Sequence, residues 1–188
     1  MSSLPPDDGA RLALERLLED ALGPLHTHVR LNLGPLLRER ESVSDIVQSA
    51  VREVWKNRER LAFRDEAPFR AYLFQVATRK ILEKKRYHTT DRRSPEAETK
   101  GRTASGFVDP NPEPSDHAAS AEELVILQSA FDELDDADRE VLSLCTVFEL
   151  PTAQAARELG VPESTLRYRL GSATSHLLAA MARRGFRG

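Results

Sequence analysis

The amino-acid sequence predicts an all-α protein of two small helical domains joined by a flexible acidic linker, with a helix-turn-helix in the C-terminal domain. Its 188 residues give room for one large or two small domains. Aromatic residues make up only 6% and charged residues 30%, so we expect an aliphatic core built from amphipathic helices. The linker is predicted because residues 94–123 are mostly Pro, Gly, Ser and acidic residues with almost nothing to bury. The predicted segments are an N-terminal tail with a short helix (1–22), a first helical domain (23–93), the linker (94–123) and a second helical domain (124–188).

The distribution of charge indicates a nucleic-acid partner, although the net charge of −3 does not. Residues 30–93 hold 16 Lys and Arg against 9 Asp and Glu, and residues 157–187 hold 6 against 2. Residues 94–123, between these blocks, hold 2 against 7. Two basic blocks separated by an acidic spacer are typical of a protein that contacts a polyanion at two places.

Several classes of protein are not expected. No run approaches the roughly 18 apolar residues of a membrane span and we find no signal peptide, so we expect no membrane partner and a cytoplasmic location. Cys145 is the lone cysteine, which excludes an internal disulfide. Because the sequence shows no Gly-rich phosphate loop, catalytic triad or metal-spaced cluster, we expect neither an enzyme nor a cofactor.

The N-terminal segment predicts a short helix without a metal site beside it. An apolar pattern over Arg11 to Leu22 indicates a helix that is interrupted near Gly23-Pro24. His26 and His28 follow this interruption. Residues two apart lie on different faces of a helix, and no Cys or carboxylate cluster accompanies the pair, so we expect no bound metal there.

The first domain is predicted to contain two long helices. One begins near Ser42, carries an acid in its first turn and presents an apolar stripe that ends at Trp55. The other begins near Ala67-Pro68, where proline fits the first turn of a helix. Its apolar face is followed by cations and rings at its C-terminal end: Arg79, Lys80, Lys84, Lys85, Arg86, Tyr87 and His88. Cations at this end can simply complement the helix dipole, but cations interleaved with rings favour single-stranded nucleic acid binding.

The second domain is predicted to end in a helix-turn-helix over Thr152 to Leu170. Gly160 suits a left-handed turn after the first helix, and Pro162 suits the start of the second. Apolar residues at helical spacing then form one face of the second helix: Leu166, Leu170, Ala173, Leu177 and Met181. The opposite face is small or cationic, which is typical of a helix that reads the major groove. An ordinary αα-corner is the alternative that this pattern alone leaves open. Upstream, Asp138 is predicted to cap the preceding helix.

Four segments, in order, resemble an extracytoplasmic-function sigma factor of the sigma-70 family. Ser44-Asp-Ile-Val-Gln-Ser49 is similar to the family's Asp-Leu-Val-Gln segment, and Phe69-Arg-Ala-Tyr-Leu-Phe-Gln-Val-Ala77 is similar to Phe-Arg-x-Trp-Leu-x-x-Ile-Ala. Leu134 to Leu142 resembles Leu-Pro-x-x-x-Arg-Glu-Val-Leu, and Gly160 to Leu170 resembles Gly-Ile-Ser-Glu-Gly-Thr-Val-Lys-Ser-Arg-Leu. The sequence departs from the family after Leu170, where Gly171-Ser-Ala-Thr174 lacks the usual positive charges.

The resemblance implies a binding protein whose partners are core RNA polymerase and promoter DNA, and it leaves the presence of an anti-sigma factor open. It assigns polymerase binding to Asp45, Val47, Gln48 and Arg52. It assigns the −10 element to the basic end of the long helix, at Arg79, Lys80, Lys84, Lys85, Arg86, Tyr87 and His88. It assigns the −35 element to Glu163, Ser164, Thr165, Arg167, Tyr168 and Arg169. The alternative function is that of a helix-turn-helix regulator that binds duplex DNA and never contacts polymerase.

Overall fold

Within the described residues, all regular secondary structure is helical, which confirms the all-α prediction. The computed structural model describes residues 6–61, 65–91 and 121–186. In these ranges the elements are α1 (Pro6–Asn32), α2 (Gly34–Arg38), α3 (Val43–Lys56), a 3-10 turn (Arg58–Arg60), α4 (Glu66–Asp91), α5 (Ala121–Asp132), α6 (Asp136–Leu142), a π-helical turn (Ser143–Val147), α7 (Thr152–Glu158) and α8 (Glu163–Arg183). Residues 94–120 of the predicted linker lie outside the described residues. The last part of that segment, 121–123, already belongs to α5.

Helix α1 is continuous, so the interruption predicted near Gly23-Pro24 is wrong. Pro24 stands inside the helix, where the lost hydrogen bond and the ring clash cost about 3 kcal/mol. The same stretch buries Ala21, Leu25 and Val29, which are at most 1% exposed. Burying one such aliphatic side chain stabilises the fold by about 1.5–3 kcal/mol, so several together outweigh the proline. The predicted segment boundary between residues 22 and 23 therefore falls within one helix.

The N-terminal half, α1 to α4, packs its helices through the predicted apolar stripes. Helix α3 buries Ile46, Val47, Ala50 and Val54. Helix α4 buries a face that includes Phe69, Leu73, Val76, Ala77 and Ile81. Both faces pack on α1 and form one cluster of buried side chains with it. The long basic helix is thereby held with its predicted buried side inward and its other sides outward.

The C-terminal half, α5 to α8, is organised around α8. Leu166 and Ala173 are fully buried and Met181 nearly so, which confirms the predicted stripe. The helix cap is Asp135 rather than Asp138: a side-chain oxygen of Asp135 accepts a hydrogen bond from the Asp138 amide at 2.8 Å. The spacing explains the difference, because a capping side chain bonds the amide three residues further on, and Asp138 supplies that amide.

The two halves share a core. Leu144, Phe148, Ala155 and Leu166 of the C-terminal half belong to the same buried cluster as α1, α3 and α4. In the reverse direction, Leu31 of α1 packs among buried side chains of α5, α6 and α8. Helix α1 therefore contacts both halves along its length.

A polar group sits at the centre of this shared core. His28 is 2% exposed, and its ring lies 5.0 Å from that of Phe74 and 5.4 Å from that of Phe148. Its Nε2 is 3.2 Å from Thr78 Oγ1, and its Nδ1 is 3.1 Å from Asn32 Nδ2. Because the amide of Asn32 donates, Nδ1 accepts and the proton of the neutral ring lies on Nε2. Burial lowers the pKa of His28 from 6.5 to about 3, so this histidine is structural and uncharged.

The buried histidine predicts a pH dependence of stability. The unfolded chain binds a proton at His28 below its ordinary pKa of 6.5, whereas the folded chain resists protonation down to about 3. Stability is therefore lost as pH falls below the unfolded-state value. Between about pH 7.5 and pH 5.5 the loss of stability is about 1.4 kcal/mol, measurable by urea unfolding. His28→Gln removes this part of the dependence, and His26→Gln, two residues away, retains it. Equal pH slopes in the two variants would exclude His28 as the titrating group.

Candidate nucleic-acid and protein interfaces

The helix-turn-helix is formed by α7, a short turn and α8. Gly160 has φ +63°, in the left-handed region that glycine adopts without steric cost. The Val161 amide donates to Ala156 O at 3.0 Å and so closes the C-terminal end of α7. The half-buried Val161 packs into the core between the two helices. These contacts fix the angle at which α8 leaves the turn.

The first turns of α8 present most of the predicted −35 residues to solvent. Ser164, Arg167, Tyr168 and Arg169 are exposed, Tyr168 to 78%. Glu163 and Thr165 are half-buried. Leu166, on the opposite side, is fully buried and holds the helix on the core. The arrangement leaves a polar, cationic helix face free for a ligand.

The carboxylate of Glu163 holds neighbouring side chains of this face in position. Glu163 Oε1 accepts a hydrogen bond from Thr152 Oγ1 at 2.8 Å and another from Arg167 Nη2 at 2.5 Å. The hydrogen bond from Thr152, followed by the charge of Arg167, lowers the pKa of Glu163. The guanidinium is thereby positioned over the start of the helix. Sequence reasoning missed Thr152 because it lies on the other helix of the motif, outside the periodic pattern of α8.

The basic end of α4 is partly neutralised by carboxylates from α3 and from the loop before it. Glu53 Oε2 lies 2.8 Å from Lys80 Nζ, and Glu53 also pairs with Arg79. The hydrogen bond between Glu53 and Lys80 lowers the pKa of the acid and raises that of the amine. Glu41 Oε2 lies 2.9 Å from Lys84 Nζ, and its Oε1 lies 2.7 Å from His88 Nε2. Four of the predicted −10 residues are thus engaged within the protein.

Three predicted −10 residues remain directed outward. Lys85, Arg86 and Tyr87 are exposed, and no ion pair within the described part of the chain involves them. The Tyr87 ring is 64% exposed and meets the His88 ring edge-on, with centroids 5.1 Å apart. Two free cations beside a supported aromatic ring can bind phosphates and stack a base.

The predicted polymerase-binding residues divide into a surface group and a core residue. Asp45, Gln48 and Arg52 are exposed on α3, whereas Val47 is 3% exposed and belongs to the core. An open groove of about 490 Å³ lies between α1 and α3, and Val47 reaches only its floor. The groove is lined by Leu22, His26, Ser44, Val47, Gln48, Val51, Arg52 and Trp55.

Sequence reasoning missed the α1 side of this groove. Leu22 and His26 line the groove because α1 continues without a break. The predicted interruption near Gly23-Pro24 gave no reason to expect them there. Trp55 also lines the groove, and the guanidinium groups of Arg58 and Arg11 lie 5.7 and 5.9 Å from its ring centroid. The groove therefore offers an apolar floor with polar and cationic margins, which suits a protein partner.

The described residues hold neither a metal-binding cluster nor a helix able to span a membrane. They contain no group of three or more His, Cys, Asp or Glu side chains placed to hold a metal ion. Their helices include none that is long and apolar enough to cross a membrane.

Two regions of the chain match models of one protein family. Residues 24–90 match the family model described as Sigma-70 region 2, and residues 124–177 match that described as Sigma-70, region 4. The RNA polymerase sigma factor CnrH of Cupriavidus metallidurans is 28% identical over 141 residues, covering 74% of this chain and 73% of that protein.

Two solved structures share the fold. CnrH in complex with the cytosolic domain of CnrY superposes with a TM-score of 0.59 at 22% identity, over 92% of this chain and 90% of that one. The sigma factor RpoE in complex with the anti-sigma factor NepR from Bartonella quintana gives 0.60 at 15% identity, over 92% and 96%.

The fold and its two outward-facing basic helices are those of a DNA-binding protein. The chain belongs to the sigma-70 family of RNA polymerase sigma factors, and the resemblance to the extracytoplasmic-function type is confirmed. It binds core RNA polymerase and directs promoter recognition. The alternative of a regulator that does not bind polymerase is set aside, because a region 2 match covers the half that such a regulator lacks.

Two glycine substitutions, one in the turn before α8 and one inside α8, should have opposite effects on stability. Gly160→Ala places a Cβ on a left-handed residue and should destabilise the protein by about 1 kcal/mol. Gly171→Ala, in the middle of α8 and with open space around its Cβ, should stabilise it by about 0.5–1 kcal/mol. Urea unfolding measures both changes. Destabilisation of similar size in both variants would contradict the assignment of the turn.

Proposed function

We propose that the three surfaces divide the work of promoter recognition. The observation that carries this proposal is the separation of two exposed cationic surfaces onto different helices, α4 in region 2 and α8 in region 4. A third surface, the α1–α3 groove, carries exposed polar residues that the fold does not require. The protein acts by binding rather than by catalysis, in the cytoplasm.

Helix α8 reads the −35 element as duplex DNA. Its exposed face enters the major groove, where an arginine can donate two hydrogen bonds to guanine and a glutamate can accept one from cytosine. The geometry that supports this is the fixed position of Arg167, held by Glu163 and through it by Thr152. Arg169 and Ser164 are available for phosphates, which contribute affinity rather than base choice.

Helix α4 engages the −10 element as the strands separate. Lys85 and Arg86 supply positive charge, and the exposed Tyr87 ring supplies a stacking surface. Lys84 and His88 contribute less to DNA binding than the sequence indicates, because Glu41 already holds them. Arg79 and Lys80 are similarly held by Glu53.

Core polymerase docks on the groove between α1 and α3. Asp45, Gln48 and Arg52 supply polar contacts at its margin, and Leu22, His26 and Trp55 extend the surface onto α1 and the end of α3. An anti-sigma factor is a further partner. This proposal is supported by the two structural relatives, one bound to the cytosolic domain of CnrY and the other to the anti-sigma factor NepR.

The groove assignment predicts loss of polymerase binding without loss of stability. Asp45→Ala combined with Gln48→Ala changes two exposed side chains, and such changes usually alter stability by no more than about 0.5 kcal/mol. The double variant should keep its melting temperature and fail to co-elute with core polymerase in size-exclusion chromatography. Glu19→Ala with Asp20→Ala, exposed on α1, is the matched control and should co-elute normally. Normal co-elution of the first variant would exclude the assignment.

The DNA assignments predict two separable defects. Arg167→Ala should weaken binding to duplex −35 fragments, most strongly at one base pair, because a bidentate contact contributes about 1–3 kcal/mol of discrimination. Lys85→Ala with Arg86→Ala should instead weaken promoter opening and reduce the salt dependence of binding to single-stranded −10 DNA, since fewer counterions are released. Permanganate footprinting with core polymerase on duplex and pre-melted templates reports both defects.

The control for these variants is Arg183→Ala, at the far end of α8, where the guanidinium pairs with Glu133 at 2.6 Å. It removes the same type of charge from the same helix and should affect neither template. Identical failure of the two DNA-binding variants on every template would show that the surfaces do not act separately.

A further inference from the structure

Helix α4 continues well beyond the end of its apolar face. Among its described side chains, Ile81 is the last that is buried, and the helix runs on to Asp91, roughly 15 Å further at 1.5 Å per residue. Between these two residues every side chain is exposed except those of Lys84 and His88, which are half-buried. Because most helical stability in proteins comes from packing, a helix end without apolar burial frays unless another contact holds it.

The two half-buried residues extend the inward face of α4 in polar form. Lys84 and His88 follow Ile81 at helical spacing, which places them on the same side of the helix as that buried residue. Glu41, in the turn between α2 and α3, contacts both of them. Its Oε2 lies 2.9 Å from Lys84 Nζ, and its Oε1 lies 2.7 Å from His88 Nε2. Glu41 therefore stands where an apolar partner would pack if the stripe continued.

The carboxylate of Glu41 is itself held in place. Its side chain is only 11% exposed, and its backbone amide donates to Leu37 O at 2.8 Å in the turn after α2. Leu37 is buried in the core and anchors this turn. Partial burial acts to raise the pKa of Glu41, but the hydrogen bonds from His88 and Lys84 lower it overall. The acid is therefore charged at neutral pH and holds two donors of α4 at once.

His88 connects this contact to Tyr87. Because a carboxylate only accepts, His88 Nε2 carries the hydrogen, so the hydrogen bond to Glu41 forms whether or not the imidazole is charged. The Tyr87 and His88 rings meet edge-on, with centroids 5.1 Å apart and an angle of 82° between their planes, an arrangement that aromatic pairs favour. The Tyr87 ring is thus supported on one side, while 64% of the residue stays exposed.

We propose that Glu41 is a positioning residue for DNA binding, which holds the last turns of α4 and, through His88, the ring of Tyr87 for stacking on an unpaired base. The inference rests on the proposed stacking role of Tyr87 at the −10 element. A ring that is already in place loses less conformational freedom when a base stacks on it, so the base binds more tightly.

This role predicts an effect opposite in sign to that of charge alone. If Glu41 only neutralised the basic end of α4, Glu41→Ala would free Lys84 and tighten DNA binding. If Glu41 positions Tyr87, the same substitution weakens binding although the surface becomes more positive. We expect the holoenzyme with Glu41→Ala to bind fluorescein-labelled single-stranded −10 DNA about fivefold more weakly, measured by fluorescence anisotropy. Glu39→Ala, which removes an exposed acid from the end of α2, is the matched control and should not weaken binding.

A double-variant cycle shows whether the effect passes through the ring. Tyr87→Ala alone should weaken binding at least about fivefold, because the stacking surface is lost. Adding Glu41→Ala to Tyr87→Ala should cause no further loss, since no ring remains to be positioned. Stacking is also read directly from 2-aminopurine substituted for the base that stacks on Tyr87. Its fluorescence is quenched in the complex, and Glu41→Ala should restore part of it.

Breaking the contact from the α4 side provides an independent variant. His88→Ala leaves Glu41 in place but removes the link to Tyr87, so it should weaken binding and reduce the quenching as Glu41→Ala does. Lys84→Ala retains the hydrogen bond between Glu41 and His88. It should keep the quenching and reduce only the salt dependence of binding, because one cation is lost. Each variant is compared at equal occupancy of core polymerase.

The outcomes separate this inference from the proposed function. Tighter or unchanged binding by Glu41→Ala would overturn the inference, and so would an equal loss with and without the Tyr87 ring. In either case, weaker binding by Tyr87→Ala alone would still support the stacking role. Normal binding and unchanged quenching in Tyr87→Ala would show that the stacking role is wrong, and the inference would fail with it.

Discussion

The burial of helix α1 on both halves is the constraint on which the rest of the structure depends. Leu25 and Val29 are fully buried in the core that α3 and α4 also enter, while Leu31, two residues further on, packs against the C-terminal half. One rigid helix therefore sets the position of the polymerase groove, the orientation of α4 and the docking of α5 and the π-helical turn. The buried His28 and its half-buried partner Asn32 fix the register of these contacts, because a buried polar group costs free energy unless its partners are in place.

The sequence predicts most of the helices because the signals that specify them are local. The stripes of α3, α4 and α8 repeat with the period of a helix, and Gly160 is at the residue where the chain takes a left-handed turn. The continuity of α1 could not be predicted in this way. Pro24 is a local signal for a break, and the burial that overrides it comes from helices distant in the sequence. The local sequence pattern shows Pro24, which destabilises the helix. It does not show the contacts with distant helices that compensate for it.

Predictions of the candidate sites are limited in the same way, because they cannot include contacts from residues distant in the sequence. Residue type and spacing identify α4 as basic and α8 as a reading helix, and both surfaces are exposed as expected. Which cations are free is decided by Glu41 and Glu53, which lie outside α4. The family resemblance assigns Val47 to the polymerase surface because it lies in the matching Asp-Ile-Val-Gln segment, yet its side chain is buried in the core. Leu22 and His26 join that surface only because α1 continues past Pro24.

The carboxylates around α4 come from both halves of the chain. Glu41 and Glu53 belong to the same half as α4 and pair there with Lys84 and Lys80. Glu149 and Glu158 belong to the C-terminal half and contact Arg70 and Gln75 of α4 across the junction. Exposed pairs of this kind contribute only about 0–1 kcal/mol each, so the acids across the junction add little to the attachment of the C-terminal half. The stronger holding contact is the shared apolar core, where Phe148 packs against Phe74 with ring centroids 5.8 Å apart. The shared apolar core therefore contributes more than these ion pairs to holding the two halves together.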